Sequence, residues 1–225
     1  MLFNSIEIYR HTPAEPWTFE KLLRRQSEVI QRVEMGENGR ILLSELAPVV
    51  TLGRREVREN LLLSEKELGE KGVTVAEATR GGLATYHGPG QWVLFFVEKL
   101  EKITGDSKGV RRAVDLLLNA ALSVAKEYEP EAFIREGDHL GVWCSRGKLA
   151  SVGVHVQNGI LTHGVSLNCE KTPLSFIGIK PCGLDEPVAF LFDSQRANSA
   201  GRDFLMVGQL LAQRLLTSVK AQGYT

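Results

Sequence analysis

The sequence lacks the long apolar run, the paired cysteines and the charge imbalance that mark several common protein classes. No stretch approaches the roughly 20 apolar residues of a membrane-spanning helix, and no basic segment followed by an apolar run opens the chain, so we expect neither a membrane protein nor a secretory signal. The three cysteines, an odd number, argue against a disulfide framework and indicate a reducing cytoplasm. The 27 basic and 27 acidic residues cancel, which gives no indication of nucleic-acid binding.

Length and patterning predict one domain over residues 1–225, with 43% hydrophobic residues to build its core. Repeats, low-complexity tracts and linkers are missing as well. The apolar spacing predicts helices at 17–35, 64–71, 110–128 and 204–219, and strands at 2–9, 40–46, 49–52, 73–78, 92–97, 149–156 and 160–168. Because the strands cluster instead of alternating with helices, we expect an α/β (α+β) fold, a mixed sheet with packed helices.

The most unusual segment, residues 80–91, combines four glycines with Arg80, Thr85, Tyr86 and His87. Glycines let a backbone approach a ligand closely and direct N–H groups toward it. The spacing is neither that of a Walker loop nor that of a dinucleotide fingerprint. A plain turn is the alternative, although turns rarely need arginine, tyrosine and histidine together. We therefore predict a ligand-binding loop.

Three further polar residues are candidates for chemistry. Lys148 follows an apparent turn, and an exposed turn lysine is the simpler interpretation. His163 begins a predicted strand, where a histidine is more often structural than catalytic. Cys182 lies between proline and glycine, which indicates a loop where its thiol can be reached. Cys144 and Cys169 fall in predicted strands, so we expect buried, inert thiols.

A zinc site built from the cysteines with His155 or His163 is disfavoured, because no two cysteines have the close spacing that usually begins such a site. We therefore predict no metal.

Taken together, these segments resemble the lipoyl(octanoyl) transferases, the octanoyl-acyl carrier protein:protein N-octanoyltransferases of lipoate biosynthesis. The resemblance is carried, in family order, by residues 80–91, 141–143, 148–153, 163–168 and 181–183, with a weaker match at 48–54. Two departures concern the acyl pocket. Leu46-Ala47 replaces the usual His-Pro pair, and residues 92–96 replace a tyrosine-containing segment, which leaves the preferred chain length open.

The resemblance implies a fold like that of biotin and lipoate protein ligases, with Cys182 as the nucleophile and Lys148 as its activator. A thiol is mostly protonated at neutral pH, and an ammonium about 4 Å away favours the thiolate by roughly 4 kcal/mol at an effective dielectric of 20. The resemblance also implies a set of substrate-binding residues: Arg80, Gly81, Gly82, Leu83, Ala84, Thr85, Tyr86, His87, Ser151, Val152, Gly153, His163, Gly164, Val165 and Ser166. Which of the two histidines is structural stays open.

By the same resemblance, the donor is octanoyl-acyl carrier protein, whose phosphopantetheine arm delivers the acyl group, and no other cofactor is expected. The acceptors would be lipoyl domains of 2-oxoacid dehydrogenase E2 subunits and the glycine cleavage H protein. We expect a cytoplasmic monomer with no nucleic-acid or membrane partner. The arginines at positions 54, 55, 58, 111 and 112 are candidates for docking the acidic carrier, although a solvated face is equally compatible.

Two other functions remain open. An ATP-dependent lipoate- or biotin-protein ligase would also use a glycine-rich loop and a lysine, but it would activate the acid as an adenylate and need no cysteine. A catalytically inactive binding module would take acyl carriers or lipoyl domains without turnover. The segment around Cys182 favours the transferase, and transfer without ATP would distinguish it from the ligase.

Overall fold

The computed structural model describes residues 6–55, 60–183, 186–192 and 204–223. Its helices are α1 (Phe19–Glu34), α2 (Glu65–Glu70), α3 (Leu100–Thr104), α4 (Val110–Ala125) and α5 (Phe204–Ala221). Its strands are β1 (Ile6–Tyr9), β2 (Arg40–Ser44), β3 (Val49–Leu52), β4 (Thr74–Glu77), β5 (Thr85–His87), β6 (Gln91–Lys99), β7 (Phe133–Arg135), β8 (Gly141–Cys144), β9 (Gly147–Gln157) and β10 (Ile160–Asn168).

Two sheets form the framework. Among the described residues, the larger has seven strands in the order β1-β2-β6-β10-β9-β8-β7, and only its β1–β2 pair is parallel. The smaller has the order β4-β3-β5, with β3 parallel to β4 and antiparallel to β5. The predicted mixed sheet is therefore confirmed.

Helices cover both faces of the larger sheet. The core on one face joins α4 and α5 to alternate sheet residues such as Leu94 and Val165, and the core on the other joins α1 to Val93 and Phe95. Strand β6 is buried along residues 91–98 because it lies between these two cores. Its continuous apolar run is therefore expected for a strand covered on both faces.

Local sequence features explain where several elements begin and turn. The Thr18 hydroxyl caps α1 by accepting a hydrogen bond from the backbone N–H of Lys21. Ser64 and Glu67 form a reciprocal capping box at α2. Asn158 and Gly159 both have positive φ, at 51° and 74°, as the tight turn between β9 and β10 requires.

Several predicted boundaries were wrong. The glycine-rich segment is not a continuous loop, because Thr85–His87 pairs with β3 as β5. Helix α4 ends at Ala125 instead of extending to 128, and α3 was not predicted. Strand β9 begins at Gly147, two residues early, because its first residues pair with β8. Of the predicted first strand, residues 2–5 lie outside the described part of the chain.

Among the described residues, the helices are all too short or too polar to cross a membrane.

Candidate active site

A cavity of about 720 Å³ lies where the larger sheet meets the glycine-rich segment. Its volume is in the range of a small-molecule site. The larger sheet contributes residues of β6, β9 and β10, and the rest come from the glycine-rich segment, α4, the stretch before β8, Arg55 after β3, and Gly183. The lining residues are Arg55, Arg80, Gly81, Gly82, Leu83, Thr85, His87, Val93, Phe95, Val114, Gly137, Asp138, Leu140, Lys148, Ser151, Val152, Gly153, Val154, Gly164, Val165, Ser166 and Gly183.

Arg80 holds the glycine-rich segment in shape. Its buried guanidinium donates to the carbonyl and hydroxyl oxygens of Thr51, at 2.7 Å each, and to the carbonyl oxygens of Leu83 at 2.8 Å and Gly81 at 3.1 Å. The backbone of Gly53 lies so close to the loop that a Cβ there would be 2.4 Å from the Gly82 carbonyl oxygen. The loop therefore packs directly on the end of β3, and its arginine donates to three backbone carbonyls and to the Thr51 hydroxyl.

Lys148 is a buried lysine, 7% exposed, on the second residue of β9. The interpretation of Lys148 as an exposed lysine in a turn is therefore wrong. Its ammonium lies 5.4 Å from the centre of the Trp143 ring, within range of a cation–π contact. Gly141 makes room for its side chain, since a Cβ there would be 2.5 Å from the Lys148 Cε and 3.3 Å from its Nζ.

The segment 186–192 runs beside the start of β9 and connects Lys148 to the chain that follows Cys182. The backbone N–H of Lys148 donates to the Pro187 carbonyl at 2.9 Å, and its carbonyl accepts from the Ala189 N–H at 2.9 Å. Glu186 anchors the beginning of this segment by accepting hydrogen bonds from Arg135 at 2.6 Å and His139 at 2.7 Å. The arginine hydrogen bond lowers the pKa of the Glu186 carboxyl; burial opposes this effect, and the hydrogen bond from His139 adds to it.

The backbone of Cys182 lies in the short 3-10 turn Pro181–Gly183, whereas its side chain lies outside the described part of the structure. Gly183, the next residue, lines the same cavity as Lys148. Its φ is 68°, and a Cβ there would be 2.8 Å from Leu83 Cδ1 and 3.3 Å from Asn60 Oδ1. The Gly183 N–H donates to the Lys180 carbonyl at 3.1 Å, and the Lys180 N–H donates to the Asn60 carbonyl at 2.8 Å. The loop carrying Cys182 is thus tied to the wall of the cavity.

Strand alternation divides the residues of β5 between two environments. Thr85 and His87 face the cavity, while Tyr86 points into a separate core with Phe176. Ala84 is fully buried in that same core. Tyr86 and Ala84 were assigned to the substrate site from the resemblance, and the structure does not bring their side chains to the cavity.

His163 also lies away from the cavity lining. Its Nε2 lies 2.9 Å from the Thr79 hydroxyl, and its ring packs edge-on against Phe95 with centroids 4.9 Å apart. It occupies the middle of β10 with φ of 59°, and its N–H donates to the Gln26 side chain. Burial, with smaller contributions from Arg80, His155 and His87, lowers its pKa to about 3. The histidine is therefore neutral and supports the fold behind the site.

Most other residues assigned to the site come together as expected from the resemblance. Ser151, Val152 and Gly153 of β9 and Gly164, Val165 and Ser166 of β10 are paired across adjacent strands, and all six line the cavity. The sequence analysis missed the apolar lining of Val93, Phe95, Val114 and Leu140. These residues are scattered over three segments, β6, α4 and the stretch before β8, and nothing in their local spacing distinguishes them from core residues.

The arginines that the sequence offered for docking the carrier lie in different environments. Arg55 is exposed and lines the cavity, whereas Arg111 pairs with Asp115 and Glu136, and Arg112 donates to the Thr104 carbonyl. Arg58 lies outside the described residues.

Both other thiols are buried, as predicted, although Cys169 follows the end of β10 instead of lying within it. Burial raises the pKa of the Cys169 thiol strongly. Within the described ranges, no three His, Cys, Asp or Glu side chains are grouped to hold a metal ion.

Residues 12–200 match the family described as lipoyl protein ligase A/B catalytic domain. The chain belongs to the lipoyl protein ligase A/B catalytic family. Within that family it is similar to an octanoyltransferase of Desulfotalea psychrophila, at 34% identity over 80% of this chain and 78% of the relative. It is also 38% identical to an octanoyltransferase of Geobacter metallireducens, over 74% of this chain and 73% of that protein.

Solved structures of lipoate protein ligases share the fold. A lipoate-protein ligase A bound with ATP superposes with a TM-score of 0.73 at 13% identity, over 96% of this chain and 86% of that one. A lipoate protein ligase from Thermoplasma acidophilum with bound lipoic acid gives a TM-score of 0.68 at 12% identity, over 96% and 87%. At such identities the likeness establishes only the fold.

Proposed function

We propose that this chain is an octanoyltransferase that takes an octanoyl group from acyl carrier protein onto Cys182 and passes it to a lysine of a lipoyl domain. The observation that carries the proposal is the shared cavity. Lys148, a buried amine, and Gly183, the residue next to Cys182, line it together with the glycine-rich segment. Octanoyltransferases at more than 30% identity over most of the chain support the same reaction.

In the first step the Cys182 thiolate attacks the acyl thioester of the carrier, and the carrier sulfur leaves and takes a proton from the Lys148 ammonium, which leaves Lys148 neutral for the second step. One thioester replaces another, so the exchange is nearly balanced and needs no ATP, metal or further cofactor. Lys148 favours the thiolate because its ammonium is buried, where charge interactions are less screened than in water.

In the second step the acceptor amine attacks the acyl-enzyme, and the conversion of a thioester to an amide drives transfer. Lys148 in its neutral form accepts the proton that the incoming ammonium must lose. Both steps pass through an oxyanion. Backbone N–H groups of the glycine-rich segment or around Gly164 are candidates to stabilise it, since both line the cavity.

The apolar part of the cavity suits the tail of the acyl group. Val93, Phe95, Val114 and Leu140 contribute apolar side chains to it. At about 0.8 kcal/mol for each buried methylene, an octanoyl chain gains roughly 5 kcal/mol. This favours eight carbons strongly over two, whereas six or ten are discriminated only weakly.

The test is intact-protein mass spectrometry after incubation with octanoyl-acyl carrier protein in the absence of ATP. We expect one octanoyl group on the wild-type chain, none on Cys182→Ala and slower acylation of Lys148→Ala. Adding a lipoyl domain should then discharge the acyl-enzyme. A Cys182→Ala protein with full transfer activity would contradict the covalent route, and a strict requirement for ATP would favour the ligase alternative.

A further inference from the structure

Two buried polar side chains, those of Gln91 and Asn168, connect His87, on the wall of the cavity, to the backbone of Lys148. The Nδ1 of His87 lies 2.7 Å from Gln91 Oε1. The Gln91 amide nitrogen donates to Asn168 Oδ1 at 2.8 Å and to the Tyr86 carbonyl at 3.2 Å. The Asn168 amide nitrogen donates at 3.2 Å to the carbonyl oxygens of Lys148 and Ala189. The network therefore links β5, β6, β10 and β9.

The network determines which nitrogen of His87 carries its proton. The carbonyls of Lys148 and Ala189 can only accept, so the Asn168 group facing them must be its NH2. Its oxygen then faces Gln91, whose NH2 must point toward it and whose oxygen must face His87. That oxygen also can only accept, so Nδ1 of His87 must be the donor. Every other arrangement sets two acceptors against each other in a buried site.

A neutral histidine with its proton on Nδ1 has a lone pair on Nε2. His87 lines the cavity with Lys148, and no described residue bonds its Nε2. We propose that His87 Nε2 accepts a hydrogen bond from the acceptor amine as that amine attacks the acyl-enzyme, a role that rests on the proposed function. Gln91 and Asn168 are positioning residues that keep His87 in the required tautomer.

Burial keeps His87 available for this role. It lowers the pKa of His87 to about 4, with nearby Arg80 adding to the effect and the Gln91 hydrogen bond opposing it. At neutral pH the ring is therefore an acceptor, but a weak base that takes no proton from the amine. The acceptor ammonium transfers one proton to neutral Lys148 and the second to the Cys182 sulfur as the carbon–sulfur bond breaks, while the new carbon–nitrogen bond forms.

Single-turnover measurements of the two half-reactions test the assignment, with His87→Asn as the decisive variant. The asparagine amide nitrogen takes the place of Nδ1 and keeps the bond to Gln91, while nothing replaces Nε2. We expect acylation of Cys182 by octanoyl-acyl carrier protein to slow much less than the transfer step. Transfer from the isolated acyl-enzyme to a lipoyl domain should slow roughly tenfold to hundredfold, as for the loss of one hydrogen bond to a group that develops charge.

A second variant tests the tautomer. Gln91→Glu removes the amide donor to Asn168 and Tyr86 and places a carboxylate beside Nδ1. The negative charge raises the pKa of His87 and protonates Nε2 at lower pH. The ratio of its transfer rate to that of the wild type should fall between pH 8 and pH 6. In the wild-type protein, nitrogen NMR should show the proton of neutral His87 on Nδ1. A proton on Nε2, or a flat rate ratio, would overturn the assignment.

The two proposals fail in different ways. If the wild-type chain forms no acyl-enzyme, the proposed function is wrong, and the role of His87 with it. If the acyl-enzyme forms and His87→Asn discharges it as fast as the wild type, or if both half-reactions slow equally, only the role of His87 is wrong.

Discussion

Replacing Gly141 by alanine should displace the lysine that the proposed reaction needs, without removing any polar group. A methyl group at this position would lie 2.5 Å from Lys148 Cε and 3.3 Å from its Nζ. Carbon atoms normally approach to about 3.5 Å, so Cε must move by about 1 Å. The same methyl would lie 2.5 Å from the Ala150 carbonyl oxygen of β9, which cannot move without disturbing the strand.

Both effects have an expected size. Overpacking of this kind costs about 1–3 kcal/mol of the free energy of unfolding. A displacement of about 1 Å in a catalytic group can slow a reaction on the order of a hundredfold. We therefore expect Gly141→Ala to fold, to unfold at lower urea concentration, and to form the acyl-enzyme roughly a hundred times more slowly than the wild type.

Gly159→Ala is the matched control. Gly159 has φ of 74°, so alanine there is strained by about 1–2 kcal/mol, but a Cβ would have no heavy atom within 4 Å. The two variants should lose comparable stability, and only Gly141→Ala should lose activity. Acylation rates come from intact-protein mass spectrometry and stabilities from urea denaturation. Wild-type acylation by folded Gly141→Ala would refute the idea that this glycine positions Lys148.

Three further predictions follow from the charges and thiols. In the folded protein the pKa values of His87 and His163 are about 4 and about 3, whereas a histidine in the unfolded chain has a pKa of about 6.5. The unfolded state therefore binds more protons as the pH falls below about 6.5, so acid favours unfolding. The free energy of unfolding should therefore fall between pH 7 and pH 5, by roughly 2 kcal/mol for each histidine, and an unchanged value in urea denaturation would contradict their burial as neutral groups. Arg55→Glu, at the exposed edge of the cavity, should raise the KM for acyl carrier protein severalfold with little change in kcat, and the effect should shrink in high salt. Cys144→Ala and Cys169→Ala should each still take up one acyl group, because both thiols are buried; loss of that mass shift would implicate them in the reaction.

The sequence alone determined the local elements and the list of chemical groups. The helices predicted at 17–35 and 110–128 and the strands predicted at 149–156 and 160–168 depend on residues a few positions apart, so their patterns predict structure directly. The motifs likewise identified Lys148 and Cys182 through the resemblance. The sequence did not predict β5, because its three residues are a strand only through their pairing with β3.

Only the tertiary structure decided which of these groups share a site. The local sequence around Lys148 predicts an exposed residue in a turn. In the structure Lys148 is buried, because the segment 186–192 hydrogen-bonds to its backbone and Gly141 leaves space for its side chain. The sequence left open which of its two histidines is structural. His87 and His163 differ because strand alternation turns one toward the cavity, while a backbone irregularity and the packing of α1 hold the other behind it. Such outcomes depend on contacts between segments far apart in the chain, which no local pattern encodes.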